Sequence, residues 1–190
     1  LRNRGITNQA LRSFWEELGV TQKDISVPLS TLYSHNTKSI DDGAPRISFV
    51  RNPHQVKLIG THQDSIAVDV HPNHPERGKR NFSLLTSSVW IEKEDSKIPE
   101  LRLKGFCDVK NVDGSAHIGS EERSDRRPIV HWVSNENSID GVLLVPNEET
   151  IESIHGKLES HQYPIGTMVQ IERIGYARIV DSSTLMFTHS

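Results

Sequence analysis

From Thr7 to Leu18 the chain reads TNQALRSFWEEL, with apolar residues at Ala10, Leu11, Phe14 and Leu18. Spacings of three and four residues line these up on one face of a helix. Thr7, whose hydroxyl accepts from a first-turn N–H, is the expected N-cap, and Gly19 stands where such a helix stops. A second helix is expected near Pro28, a residue suited to a first turn, carrying Leu29, Leu32, Tyr33 and Ile40 up to Gly43. Together they predict a short helical hairpin. After Pro45 the apolar period shortens to two. RISFV, QVKLI, SIAVDV, SSVWIE, LRLKGFCDV, PIVHWVS, GVLLV, TMVQIERIGYARIV and TLMFTHS are short, β-rich and separated by Gly, Pro, Asn and Asp. About nine strands without intervening helices predict a mainly β chain built as antiparallel sandwiches or barrels. The polar stretch from Asn147 to Tyr163 reads as a long connection.

Composition narrows the class without naming a chemistry. A chain of 190 residues, 34% hydrophobic and 25% charged, suits one sizeable domain or two small ones with an ordinary core. No run approaches the roughly 18 apolar residues of a membrane span, and the N-terminus lacks the zones of a signal peptide. Cys107 stands alone, so an internal disulfide is impossible and a reducing, cytoplasmic setting is expected. The formal charge of −3 means that any nucleic-acid binding must come from local patches. The chain opens on Leu1, and its methionines are Met168 and Met186, so a fragment of a longer protein is expected.

Three stretches hold the candidate chemistry. HPNHPERGKR, residues 71 to 80, places His71 and His74 three apart, a spacing that on a helix would offer two nitrogens to zinc. Pro72 and Pro75 forbid a regular helix there, and no thiol or carboxylate cluster completes a metal shell. The prolines instead extend the backbone, Gly78 permits a tight turn, and Arg77, Lys79 and Arg80 project as phosphate or base-edge donors; the bland alternative is a solvated loop. RSDRRPIVHW carries Arg123, Arg126 and Arg127, balanced by Glu121, Glu122 and Asp125, and by itself reads as a surface ion-pair turn. VQIERIGYARI sets Gln170 and Glu172 on one face of a strand and Arg173 on the other, unless the Gly175 turn intervenes. His117, Ile118 and Gly119 spell three letters of an ATP-binding signature, but Ser120 follows and the surroundings are strands, so no ATP site is expected here. His131, beside Trp132, reads as a packed, hydrogen-bonded residue. No Gly-rich phosphate loop or nucleophile elbow occurs, and no reaction centre emerges.

Taken in order, RNRGITNQALRSFWEELGVTQKDISV, APR, HPNHPERGKR, RPIVHWV and VQIERIGYARI resemble the C-terminal, anticodon-binding half of glutamyl-tRNA synthetases of the archaeal and eukaryotic type, whose barrels are shared with glutaminyl-tRNA synthetases. The resemblance spans essentially the whole chain. It implies a helical linker over 1–44, a proximal β-barrel from 45–80 plus 163–190, and a distal β-barrel over 81–162. It also implies middle-base contacts at Arg80, Gln170 and Arg173, third-base and phosphate contacts at Arg126 and Arg127 with Arg123 nearby, and phosphate steering by Arg77 and Lys79. The implied parent enzyme ligates glutamate to tRNA using ATP and magnesium in a catalytic domain this sequence lacks, so the fragment has no cofactor or metal of its own and should be inactive alone. The implied partners are that catalytic domain and tRNA-Glu, with tRNA-Gln a second possibility. A glutaminyl-type region and a non-catalytic protein-interaction barrel are the alternatives. The reading requires Arg80, Arg127 and Gln170 to converge on one cationic face.

Overall fold

The computed structural model describes residues 2–19, 26–122 and 126–190. Helix α1 (Asn8–Leu18) starts where its cap predicts, with the Thr7 hydroxyl accepting from the Ala10 N–H at 3.0 Å. It ends at Gly19, whose φ of 66° suits a residue without a Cβ. Helix α2 (Leu29–Ile40) begins one residue later than expected because Pro28, at φ −62° and ψ 139°, remains extended as the N-cap. The two helices pack through Ala10, Leu11, Phe14, Leu32 and Tyr33. Fully buried Asn36 fixes the hairpin to the chain ends: it donates to the Gly5 carbonyl, accepts from the Thr7 N–H, and meets His189 Nε2 at 3.0 Å.

Sixteen strands follow among the described residues: β1 (Arg46–Ile47), β2 (Phe49–Arg51), β3 (Pro53–Ile59), β4 (Ser65–Asp69), β5 (Lys79–Ser83), β6 (Ser88–Glu92), β7 (Glu100–Leu103), β8 (Asp108–Val112), β9 (Ser115–Ile118), β10 (Ile129–Val130), β11 (Val133–Ser134), β12 (Ser138–Pro146), β13 (Ile151–Glu159), β14 (Met168–Ile171), β15 (Gly175–Ile179) and β16 (Thr184–His189). One seven-stranded sheet runs β1-β14-β15-β16-β12-β13-β2. Its outermost members β1 and β2 are separated only by Ser48, so one bent segment meets both edges and the sheet rolls into a barrel. The second sheet runs β10-β7-β8-β9-β3-β6-β11, and there His131–Trp132 alone separates the outermost strands. Both sheets thereby avoid open edges. Most neighbours are antiparallel, as expected. The closing contacts β1·β14 and β10·β7, and the pairs β12·β16 and β3·β9, are parallel.

Two features differ from the expectation. The two large sheets divide the chain into 53–59 plus 88–134 against 46–51 plus 138–189, with β4 and β5 pairing as a separate two-stranded sheet, so Pro53–Ile59 pairs within the second barrel and Ser138–Glu159 within the first. The crossing point is Asn52, at φ 44°, a left-handed conformation that Asn tolerates and that turns the chain from β2 into β3. The supposed connection 147–163 instead contains β13, which pairs with β12 over nine residues and with β2 on its other side. Its polar composition hid it: most of its outward positions are charged or hydroxylic, while Ile154, Gly156 and Leu158 supply the inner face. His117, in the discarded ATP-signature match, sits on β9 between β8 and β3.

Each barrel has its own core. Ile47, Phe49, Leu143, Leu158, Val169, Ile171, Ile179 and Leu185 fill the first. Val56, Phe82, Leu84, Val89, Ile91, Leu101, Leu103 and Trp132 are among those that fill the second. Strand alternation along β2 sends Phe49 into one core and Val50 into the other, which locks the barrels together at a shared strand. His131 is fully buried and donates Nε2–H to the Phe49 carbonyl at 3.0 Å, a second tie across the same seam.

Candidate nucleic-acid interface

The 71–80 stretch is a folded arm joining β4 to β5. His71 is 1% exposed, its Nε2 donating to the Asp41 carbonyl at 3.0 Å and its Nδ1 accepting from the Asn73 N–H at 3.1 Å. Both nitrogens are therefore engaged within the chain. His74 meets the Asp42 carboxylate at 2.5 Å and Glu76 at 2.9 Å. Hydrogen bonds to those two acids raise its pKa above the ordinary imidazole value, and the bond from His74 lowers that of Asp42. Pro75–Arg77 forms one 3-10 turn, after which Gly78 at φ 89° redirects the backbone into β5. Arg77 closes on Asp42 as well, through its carbonyl and its carboxylate. Lys79 is exposed and has no ion pair among the described residues. The arm is clamped to the end of α2, with Lys79 as its open cation.

Arg80 turns inward. Its Nη1 lies 2.6 Å from Glu159 and its Nη2 2.9 Å from Glu172, with all three side chains under 10% exposed. Lys104 reaches Glu172 at 3.2 Å, so two cations face two carboxylates in this seam. Burial favours the neutral form of Glu159 and outweighs the opposing Arg80 charge, so its pKa is raised. Glu159 also accepts from the Ser48 N–H at 2.9 Å, holding the β1–β2 bend in place. Gln170, half-buried on β14, shares the outward face with Glu172, while Val169 and Ile171 point into the core. Arg173 sits in the tight β14–β15 turn at φ 64°, and its guanidinium meets buried Asp95 at 2.6 Å and 3.3 Å.

The second basic stretch is anchored elsewhere. Arg127 meets Asp108 at 2.5 Å and Glu100 at 3.1 Å, and Arg102 approaches the same Asp108 at 2.8 Å. Burial alone would raise the pKa of Asp108, but the hydrogen bonds from Arg102 and Arg127 outweigh it and the net direction is down. Arg126 is exposed and lacks an ion pair among the described residues; Arg123 lies outside them.

Folding thus joins the first and third candidate stretches through Arg80 and Glu172, whereas among the described residues no hydrogen bond or ion pair connects Arg126 or Arg127 to them. The seam is charge-balanced, in contrast to the cationic face expected, because Glu159 and Glu172 neutralise what the basic residues bring. Sequence reading missed Glu159 because its strand looked like a connection, and missed the role of Glu172 because the partner of a buried charge carries no local signal. Open clefts border this ion-pair cluster. One, of about 300 Å³, is lined by Arg80, Asn81, Asn137, Glu159 and the 160–163 segment. Another, of about 180 Å³, is lined by Glu172, Arg46, Lys104 and Pro72 among others.

Comparison with known proteins fits this geometry to a family. The family described as tRNA synthetases class I (E and Q), anti-codon binding domain, matches residues 44–123. A glutamate–tRNA ligase from Thermofilum pendens is 31% identical over 199 aligned positions, covering 100% of this chain and 35% of that protein. One from Natronomonas pharaonis is 31% identical over 186 positions, with 94% of this chain and 32% of that protein covered. One from Methanocaldococcus jannaschii is 28% identical over 188 positions, covering 94% and 34%. The chain spans about a third of the length of these relatives.

Proposed function

Since the chain belongs to the class I (E and Q) tRNA synthetase anticodon-binding family, we propose that it is the tRNA-reading part of a glutamate–tRNA ligase. In this reading the barrels hold unstacked anticodon bases of tRNA-Glu, with tRNA-Gln as a second candidate. Activation of glutamate with ATP and magnesium then falls to the portion of the relatives that this chain does not match. A cytoplasmic site of action follows from the same assignment; among the described residues no helix is long and apolar enough to cross a membrane.

One observation carries the proposal: Arg80, from the first candidate stretch, meets Glu172, two residues from Gln170 in the third, and Glu172 lines an open cleft. Glu172 offers an acceptor, Gln170 a donor and an acceptor, and Arg80 a forked donor whose Nε has no partner among the described residues. A base edge carrying both an N–H and a carbonyl complements that set, and single-stranded loop bases expose such edges. Arg173 braces the turn that presents Gln170 and Glu172. Lys79 and Arg126, exposed and without ion pairs among the described residues, are the residues best placed to meet phosphates; Arg77 and Arg127 would have to exchange a carboxylate for one.

Filter-binding titration with tRNA-Glu and with a tRNA altered at the middle anticodon base tests the reading. Gln170→Ala should cost about 1–3 kcal/mol on the cognate tRNA, borrowing the scale of base-edge readout, and little on the altered one. Lys79→Ala and Arg126→Ala should weaken both tRNAs equally and reduce the salt slope, by about 0.7 per lost phosphate contact. Equal affinity for both tRNAs with the unaltered chain would favour a protein-interaction barrel instead.

A further inference from the structure

We propose that the cleft on the Glu159 side of Arg80 is a separate stacking subsite for one further nucleobase, packed on His161 and Tyr163; this rests on the anticodon-binding reading above. The His161 and Tyr163 rings lie 5.8 Å apart and within 19° of parallel, and both line the cleft. Aromatic faces of this kind hold bases of any sequence, because every base has a π-face. The cleft's volume of about 300 Å³ sits at the small end of ligand sites and suits a single nucleoside.

Its charge selects the base rather than the phosphate. Arg80 is offset by Glu159 within the cleft wall, and among the described residues no other full cation lines it. His161 supplies no cation either, since burial lowers its pKa and keeps the imidazole neutral. The exposed amides of Asn81 and Gln162, without hydrogen-bond partners among the described residues, offer donors and acceptors to a base edge. His161 and Arg80 both line the cleft, and His161 Nδ1 and Nε2 and Arg80 Nε are buried without hydrogen-bond partners among the described residues, a rare condition in a folded chain. Two successive unstacked bases would then lie on either side of the Arg80 guanidinium, one toward Glu172 and one toward Glu159.

Fluorescence anisotropy of the 190-residue chain with an anticodon stem-loop RNA, and with a series in which each loop nucleotide in turn is abasic, provides the test. Tyr163→Leu keeps the contact with the first core and removes the π-face. It should weaken binding about tenfold, the ~1.4 kcal/mol of one base–aromatic stack, with an unchanged salt slope. Tyr163→Phe should stay within about twofold, His161→Leu should weaken binding in the same sense as Tyr163→Leu, and one abasic position should erase the Tyr163→Leu effect. Affinity of both leucine variants equal to that of the unaltered chain, or a loss that persists on every abasic RNA, overturns the subsite while leaving the anticodon reading intact. If the unaltered chain does not bind the loop at all, both readings fall.

Discussion

Arg80, proposed above as a base-reading residue, is in the fold a buried ion-pair residue. Its guanidinium is buried between two carboxylates more than seventy residues away in sequence, Glu159 on β13 and Glu172 in the β14–β15 turn. Removing it leaves Glu159 and Glu172 in low dielectric, with Lys104 the one remaining ion-pair partner among the described residues. Arg80→Ala should therefore lower stability by about 3–5 kcal/mol in urea unfolding, the usual cost of breaking a buried pair. Arg80→Lys, which keeps the charge but loses the two-pronged geometry, should recover part of that loss. Stability equal to the unaltered chain in Arg80→Ala would mean that the seam does not depend on this ion triad. The same burial explains what was legible at this scale. The basic residues stood out in sequence by their clustering, and Lys79 and Arg126 are indeed exposed. Which cations would be neutralised depended on acids that only folding brings near, as with Asp95 and Arg173 or Asp108 and Arg127.

At the level of elements, the helices and most strands follow from period and punctuation, because a one-sided apolar face and a cap are written locally. Thr7, Gly19 and the alternation in TMVQIERIGYARIV illustrate this. Strand β13 escaped because its outer positions are polar and its inner face includes a glycine in place of a large apolar residue. That glycine is required by packing: a Cβ on Gly156 would lie 2.3 Å from the Val50 carbonyl oxygen and 2.9 Å from the Phe49 ring. Backbone atoms cannot yield as a flexible side chain does. Gly156→Ala should therefore force β13 away from β2 and cost at least about 2 kcal/mol, at the upper part of the overpacking range. Hydrogen exchange at Lys157 and Leu158, whose strand pairs with β2, should accelerate in this variant. Unaltered protection there would show that β2 and β13 are not in close register. The exchange of strand partners at Asn52 was similarly hidden, since two short apolar runs in a row do not say which sheet each joins.

Across the whole molecule, the ties between helices, first barrel and second barrel run through buried imidazoles. His131 bonds to the Phe49 carbonyl and lies 3.7 Å from Glu92, and His189 stacks on Tyr33 at 5.0 Å while meeting Asn36. Burial is the largest influence on His131, His161 and His189, and it lowers the pKa of each below the ordinary 6.5. Lowered folded values mean that the unfolded chain binds more protons as pH falls through 6.5, so this contribution to stability is present above that pH and is lost below it. Asp41, Asp42 and Asp108, also lowered, extend the loss at more acid pH, below their ordinary 3.8. His74, with a raised value, and Glu159, raised by burial, act in the opposite sense. The melting temperature should fall between pH 7 and pH 5, and His131→Asn should flatten the slope; a melting temperature that rises over this interval would contradict neutral burial of the three rings.

The proposed site of RNA reading is the seam where the two barrels meet around Arg80. Ultraviolet crosslinking of the chain to an anticodon stem-loop, followed by mass mapping of the adducts, tests it most directly. Adducts concentrated in peptides covering 79–83, 160–163 and 170–173 are the predicted result. Adducts confined to the outer strands of either barrel, with none at those three segments, would contradict it.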